Sequence, residues 1–341
     1  MKSSDLLLIE GKPGSGKSTL MKYFQRSLSK REPSERKIVA SFYYSYREGE
    51  QQTNHSNMLR SVLHGLLDQN ELFFFHFQPY YRQATQGGRH PKWSYESLKE
   101  TLLSLIENHP VREGLYLIVD AMDESDDAER IDVIKFLHEL CAAKGLCIVK
   151  VFVASRPIRE LYRFSAKYHK MIRLEDVNAP DILKYAESFL SKLQLPSDII
   201  FQAKEYIVQQ AQGVFVWVHL VQKELDRYAN GCTRNEIFGF LKSLPTELEG
   251  FYKRILMQLE GGISRDIEVG QRMLLFVLFT YRPLELEELR QALAVQDSLG
   301  SEHLVSDELL KGNLIYNMDN RLVSCTGNFL QIKGVQGISI R

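Results

Sequence analysis

The 341-residue sequence has no excess of charge of either sign: 43 Lys and Arg offset 43 Asp and Glu, for a formal net charge of +0. A chain whose main partner is nucleic acid or an anionic membrane ordinarily carries clustered Lys and Arg to neutralise phosphates. Neither partner is expected. Cysteine is scarce, and the four present, Cys141, Cys147, Cys232 and Cys325, form no CxxC pair. No disulfide framework is implied; they read as reduced thiols, mostly in the core. Cys and His show no metal-ligand spacing. Long apolar runs are also missing. Met273 to Phe279 is far short of the roughly 20 residues that span a bilayer. Leu6 to Ile9 is too short for the apolar region of a secretory signal. No membrane span and a cytoplasmic location are expected.

The composition, 44% hydrophobic and 25% charged, is that of an ordinary globular protein and excludes intrinsic disorder. At roughly 150 residues per domain the length suggests two to three domains. The first half alternates β-rich runs with helical stripes, the pattern of a parallel sheet covered by helices, an α/β fold. Strands are expected at Leu6 to Ile9, Lys37 to Tyr44, Leu115 to Val119, Cys147 to Ala154 and Met171 to Leu174. Leu20, Phe24 and Leu28 mark one face of the first helix. From about Asn178 the strand signal fades, and 179–192, 198–212, 214–229, 233–243 and 246–260 read as helices. Pro196 and Pro245 stand where helices begin, and Gly261-Gly262 marks a break. Beyond it, Met273 to Phe279 and Leu286 to Leu293, with strand-like pieces near Leu314 and Leu322, suggest a small terminal domain.

Gly11-Lys12-Pro13-Gly14-Ser15-Gly16-Lys17-Ser18 fits GxxxxGK[ST] between an expected strand and an expected helix. On the order of 0.01 such matches are expected by chance in a chain this long. The glycines let the loop wind close enough for backbone N–H groups to cradle phosphate oxygens, and the helix N-terminus adds its positive end. Lys17 is placed for the β- and γ-phosphates, Ser18 for Mg²⁺ and Thr19 for the α-phosphate. Leu115 to Val119 then ends in Asp120, a carboxylate at the sheet's C-terminal edge suited to Mg²⁺. Alone, such an Asp reads equally as a turn or helix cap; the upstream loop favours the metal role. One of the adjacent carboxylates, Asp123 or Glu124, could orient an attacking water. Asp126 and Asp127 suit the cap of the next helix. Arg156 follows another strand end and suits either a γ-phosphate sensor or a solvent-exposed helix start. Trp217, Phe215 and Trp93 read as core aromatics.

Taken in order, Gly11 to Lys22, Val119-Asp120-Ala121-Met122-Asp123-Glu124 and Ala154 to Pro157 resemble the NACHT NTPases of the STAND class. The fungal branch, with heterokaryon-incompatibility proteins and the nephrocystin-3-like N-terminal domain, is nearest. Ile172 to Glu175 with Asn178, Gly213 to Trp217, Leu244-Pro245 and Arg282-Pro283-Leu284 extend the likeness. The resemblance implies an ASCE-type P-loop sheet ordered 5-1-4-3-2 over residues 1–177, a helical lid over 178–245 and a winged-helix-like domain, cut short, over 246–341. It implies a switch: ADP holds a closed monomer, and exchange for ATP permits opening and self-association, with slow Mg-dependent hydrolysis, in fungal innate-immunity or incompatibility-type signalling. It assigns Gly11 to Thr19 and Asp120 to ATP or ADP with Mg²⁺, Asp123 and Glu124 to hydrolysis and Arg156 to sensing. The effector and sensor partners, and the winged-helix histidine of relatives, are expected to lie outside this chain. Two other readings remain open on the residues: a catalytic P-loop enzyme such as a ring-forming AAA-type ATPase, and an interaction module whose nucleotide is structural or absent.

Overall fold

The computed structural model describes residues 4–30, 37–85, 93–161, 170–193, 195–228, 232–260, 264–298, 307–326, 329–333 and 337–340. The chain divides into two compact units, residues 1–46 with 50–243 and residues 47–49 with 244–341.

The first unit is built on five strands, β1 (Asp5–Glu10), β2 (Lys37–Tyr43), β3 (Gly114–Asp120), β4 (Ile148–Ser155) and β5 (Lys170–Arg173). They lie in the order β2-β3-β4-β1-β5, and every pairing is parallel. Read from the other edge this is 5-1-4-3-2, an α/β sheet of the ASCE P-loop type. Parallel neighbours need crossover connections, and helices supply them here. Those introduced below are α1 (Lys17–Lys30), α2 (His55–Gln69), α3 (Glu71–Thr85), α4 (Tyr95–Glu107) and α5 (Arg130–Ala142).

The period-2 alternation of the strands sends side chains to both covered faces. Leu6, Leu8, Ile38, Ala40 and Phe42 pack with the stripes of α2, α4 and α5, while Ile9, Ile118 and Ala154 pack with Met21 and Leu28 of α1. The buried face of α1 is thus Met21, Phe24 and Leu28, not the Leu20 face expected from sequence. Leu20 is 40% exposed and Met21 fully buried: positions 20, 24 and 28 make a helical stripe, as do 21, 24 and 28, and packing against Ile9, Ile118 and Ala154 selects the second. No apolar stripe signalled α3, which carries Pro79 in its interior.

The same unit continues through α6 (Leu174–Val177), α7 (Ala179–Leu190), α8 (Ser197–Ala211), α9 (Phe215–Tyr228) and α10 (Arg234–Ser243). Their inner faces bury Ile182, Phe189, Ile207, Trp217, Val221 and Leu241.

The second unit holds α11 (Leu248–Glu260), α12 (Ser264–Phe279), α13 (Leu286–Ser298), α14 (Asp307–Asn313) and α15 (Met318–Thr326). An antiparallel pair follows, β6 (Leu330–Lys333) and β7 (Gly337–Ile340). The strand-like pieces expected near Leu314 and Leu322 are not strands. Met318, Leu322 and Cys325 are spaced at i, i+4 and i+7 and are buried together against Met273 and Leu293, a helical pattern that a short apolar run does not disclose. The break expected at Gly261-Gly262 lies outside the described residues. All four cysteines are free thiols, and burial pushes Cys141 and Cys147 each up to about 12. No helix of the described residues is long and apolar enough to cross a membrane.

Candidate functional site

Strand register brings the functional segments to one edge. Glu10 stands opposite Ser155 and Tyr43 opposite Asp120, so β1, β3 and β4 end side by side. The Gly11 N–H donates to the Ser155 carbonyl at 3.2 Å, carrying the ladder one residue further. The loop from Gly11, Asp120 with Asp123 and Glu124, and Arg156 therefore share the C-terminal edge of the sheet, where open α/β sheets take ligands.

Between β1 and α1 the loop is wound by two left-handed glycines, Gly14 at φ 76° and Gly16 at φ 94°. The Ser15 N–H donates to the Lys12 carbonyl at 3.2 Å, closing the turn. Helix α1 then begins at Lys17, so its first N–H groups have no acceptor in the helix itself. Lys12, Pro13, Ser18 and Thr19 are exposed, and Gly11 and Ser15 are buried. The Lys17 ammonium curls back onto the loop, donating to the Gly11 carbonyl at 2.6 Å and the Lys12 carbonyl at 3.0 Å. An ammonium has three donors, so one is left for a phosphate oxygen. Burial holds Lys17 below the ordinary lysine range, and Arg156 adds to that, against the pull of Asp123, Asp120 and Glu175. An anion on the loop would further favour the charged form.

Asp120 is 2% exposed, and its Oδ1 is buried without a hydrogen-bond partner among the described residues. Burial raises its carboxyl above the usual range, opposed chiefly by the Ser18 hydroxyl bonded to it. A buried carboxylate oxygen beside a hydroxyl is a hard-oxygen set of the kind Mg²⁺ takes, so the residues present fit that ion. Among the described residues no cluster of three or more His, Cys, Asp or Glu offers another metal site. The chain leaves Asp120 through Ala121 in the left-handed region, at φ 57°. For a non-glycine residue this conformation costs about 1–2 kcal/mol, and it turns the backbone into the helical turn Met122–Glu124.

That turn parts the two acidic neighbours. Asp123 faces the end of β4, accepting from the Arg156 N–H at 2.9 Å and the Ser155 hydroxyl at 3.3 Å, and pairing with the Arg156 Nε at 3.2 Å. Glu124 accepts from the Tyr46 N–H at 3.2 Å. Below them, buried Arg130 donates to the Ser125 hydroxyl at 3.0 Å and the Asp123 carbonyl at 3.3 Å and pairs with Asp127. Asp127 thus serves Arg130 rather than a helix cap. Asp126 accepts from the Ala128 N–H at 3.0 Å, capping the turn before α5 rather than α5 itself, whose Ncap is Glu129.

The turn is also fastened to buried His55. Its Nε2 meets the Asp126 carbonyl at 2.9 Å and its Nδ1 the Tyr44 hydroxyl at 2.7 Å, while the Tyr44 N–H donates to the Asp120 carbonyl at 3.1 Å. A neutral ring protonated at Nε2 satisfies both contacts. Burial lowers the His55 pKa, so the unfolded chain binds this proton more readily than the folded one. The associated stability is complete above the unfolded value of about 6.5 and is lost as pH falls below it. Thermal melts are therefore expected to fall below about pH 6.5, with a shallower fall in His55→Gln. An unchanged slope in the variant would assign the loss to other groups.

Sequence reasoning named Glu175, Asn178 and Gly213 without giving them work. The structure sets them against the loop. Asn178 donates from Nδ2 to the Ser15 carbonyl at 2.9 Å and to the Gly213 carbonyl at 2.8 Å. Glu175 accepts from the Lys12 N–H, and Gln212 accepts from the Lys12 ammonium at 3.4 Å. The Val216 N–H donates to the Gly14 carbonyl at 3.2 Å, and a Cβ on Gly14 would stand 2.8 Å from that of Val216. The available signal was Gly213 directly after a helical run, since α8 ends in a left-handed pair, Gln212 at φ 43° and Gly213 at φ 80°. Of the expected core aromatics, Trp217 is buried, and Phe215 lies beside Gly16, 3.6 Å from where a Cβ would stand.

Residues 1–156 match the family model described as nephrocystin 3, N-terminal. Over these residues, somewhat less than half of its length, the chain is similar to the nephrocystin 3 N-terminal family. The chain is also 26% identical over 318 residues to vegetative incompatibility protein HET-E-1 of Podospora anserina, a match covering 90% of this chain and 22% of that protein. It thus spans about a fifth of that relative's length. Solved structures with overlapping architecture include the Walker-type ATPase PABY2304 of Pyrococcus abyssi, with 14% identity, TM-score 0.42, and 99% and 88% of the two chains covered. Another is the Aeropyrum pernix ORC1 protein in complex with DNA, with 13% identity, TM-score 0.41, and 100% and 84% covered. At such scores the fold assignment rests on strand order and register. The nephrocystin 3 N-terminal match takes in the glycine loop, Asp120, Asp123, Glu124 and Arg156, and it ends at that arginine. Asn178 and Gly213 lie beyond it.

Proposed function

We propose that this chain is an ATP/ADP-binding signalling switch of the NACHT/STAND class, with slow Mg-dependent hydrolysis and with nucleotide exchange coupled to opening and self-association. One observation carries the reading: loop residues Lys12, Gly14 and Ser15 are tied to the helical segments 174–178 and 212–216. A nucleotide that shifts the loop shifts those helices. A switch needs only a different affinity of two conformations for two nucleotides. In this reading 1–177 is the NTPase domain, 178–245 the lid and 246–341 the winged-helix-like domain. The likeness to a vegetative incompatibility protein supports a cytoplasmic role in fungal incompatibility- or immunity-type signalling, with effectors and sensors as protein partners.

In the proposed mechanism, loop N–H groups and the start of α1 bind the β-phosphate, Lys17 bridges β and γ, and Thr19 meets the α-phosphate. Ser18 and Asp120 would hold Mg²⁺, which when bound offsets the phosphates' charge. Glu124 orients the attacking water. Asp123, engaged by three donors from Ser155 and Arg156, holds Arg156, and a γ-phosphate competes for that guanidinium.

The test is to purify the chain and measure retained nucleotide, turnover, and mass with ADP or an ATP analogue. Retained ADP, turnover far below one per second and a nucleotide-dependent mass are expected. Fast turnover stimulated by ring assembly would favour an AAA-type ATPase; no retained nucleotide and no titratable binding would favour an interaction module. Asp120→Asn supplies a separate check. It relieves a buried carboxylate whose charge opposes folding at neutral pH, so the variant is expected to melt higher without nucleotide while losing Mg-dependent tightening of ATP. A lower melting temperature would contradict that assignment.

A further inference from the structure

We propose that Asn178 is a positioning residue that aims the Gly16 N–H at the phosphate site by holding the Ser15–Gly16 peptide plane. This rests on the nucleotide-binding reading above. The Ser15 carbonyl and the Gly16 N–H belong to one planar trans peptide and point in opposite directions. Whatever fixes the carbonyl fixes the amide. Asn178, 7% exposed, takes the Ser15 carbonyl at 2.9 Å and spends its second donor on the Gly213 carbonyl at 2.8 Å. Both hydrogens of one carboxamide are thereby committed, and no other side chain this short offers two donors from one planar nitrogen.

The rest of the loop cannot perform this task. The neighbouring peptide is fixed separately, with the Gly14 carbonyl on the Val216 N–H and the Ser15 N–H on the Lys12 carbonyl. Ser15 cannot hold itself, since its Oγ is buried without a hydrogen-bond partner among the described residues. Gly16, at φ 94°, has the freedom to let its amide rotate away from the phosphate. Without Asn178 the Ser15 carbonyl is free to turn toward the anion, placing a negative dipole end where a positive one is needed.

Asn178 itself is placed by the chain, not by the ligand. It closes α6, with its N–H on the Leu174 carbonyl at 2.9 Å, and its own carbonyl accepts from Ile182 at 2.9 Å at the start of α7. Its carboxamide therefore links the phosphate loop, the α6–α7 joint and the left-handed corner after α8. Loss of the link is expected to weaken ligands that reach the β-phosphate position, ADP and ATP, and to spare AMP.

The experiment compares Asn178→Ala, Asn178→Ser and Asn178→Asp with Leu174→Ala, a buried apolar lesion in the same segment that leaves the carboxamide in place. Affinities for Mg·ADP, Mg·ATP analogue and AMP are measured by competition with a fluorescent nucleotide, at a temperature where each variant keeps the wild-type circular dichroism spectrum. The expected result is a loss of about tenfold or more for ADP and ATP in the Asn178 variants, with AMP within about threefold. Leu174→Ala is expected to lower the melting temperature without that split. Equal loss for all three ligands, affinities matching wild type, or failure of every Asn178 variant to fold would overturn the proposal. Nucleotide binding by the wild-type chain, weakened in Lys17→Ala, would leave the broader reading standing in each case. Binding absent from wild type would overturn that reading and this inference together.

Discussion

Lys17→Ala is expected to weaken Mg·ADP by roughly 30- to 150-fold, the equivalent of about 2–3 kcal/mol for a charge-assisted contact to phosphate. The geometry explains why the effect falls on binding rather than folding. Lys17 is already drawn out of water, its pKa lowered by burial, and is aimed by the carbonyls of Gly11 and Lys12. The cost of desolvating and orienting the ammonium is met in folding, so the phosphate finds a preorganised charge. Removing the side chain forfeits two hydrogen bonds but also removes a partly buried cation, and these oppose each other in stability. The nucleotide-free melting temperature is therefore expected to move by only a few degrees. Titration with fluorescent ADP beside a melting curve checks both. Affinity within about threefold of wild type would remove Lys17 from the phosphate site.

Gly213→Ala is expected to be the more destructive change to the fold, at about 2–5 kcal/mol. Its φ of 80° costs an L-residue about 1–2 kcal/mol. The added Cβ would meet the backbone of Glu175, including its carbonyl oxygen at 2.9 Å, and such overlaps cost about 1–3 kcal/mol more because backbone has to move. Neither strain is relieved by a rotamer change. Glu175 also accepts from the Lys12 N–H, so displacing it loosens the phosphate loop. Urea unfolding should show a lower midpoint with an unchanged slope, and ADP affinity should fall with it. A midpoint equal to wild type would show that the two segments separate at little cost.

Much of this site is legible in the sequence because its chemistry is local. Gly11 to Thr19 is a contiguous run whose backbone geometry follows from its glycines, and Asp120 and Arg156 each follow an apolar strand at once. Asp123 and Glu124 are different. Adjacent in sequence and similar in charge, they are indistinguishable until the left-handed Ala121 and the turn after it send one to Arg156 and the other to the Tyr46 amide. The first helix shows the limit of periodicity: Leu20 and Met21 fit nearly the same stripe, and packing against Ile9, Ile118 and Ala154 chose the second. The helix at Met318–Thr326 shows the same limit, since a short apolar run holds too few turns to separate the periods.

By itself the sequence determined the α/β class, the strand succession of the first unit and the position of the glycine loop, because each depends on residues within one turn or one strand of one another. Only the tertiary structure decided that Asn178 and Gly213, more than 160 residues from Ser15 and beyond the nephrocystin 3 N-terminal match, complete that loop. The reason is physical. The contacts that hold it are made to backbone carbonyls and amides, which every residue carries and which no side-chain pattern records.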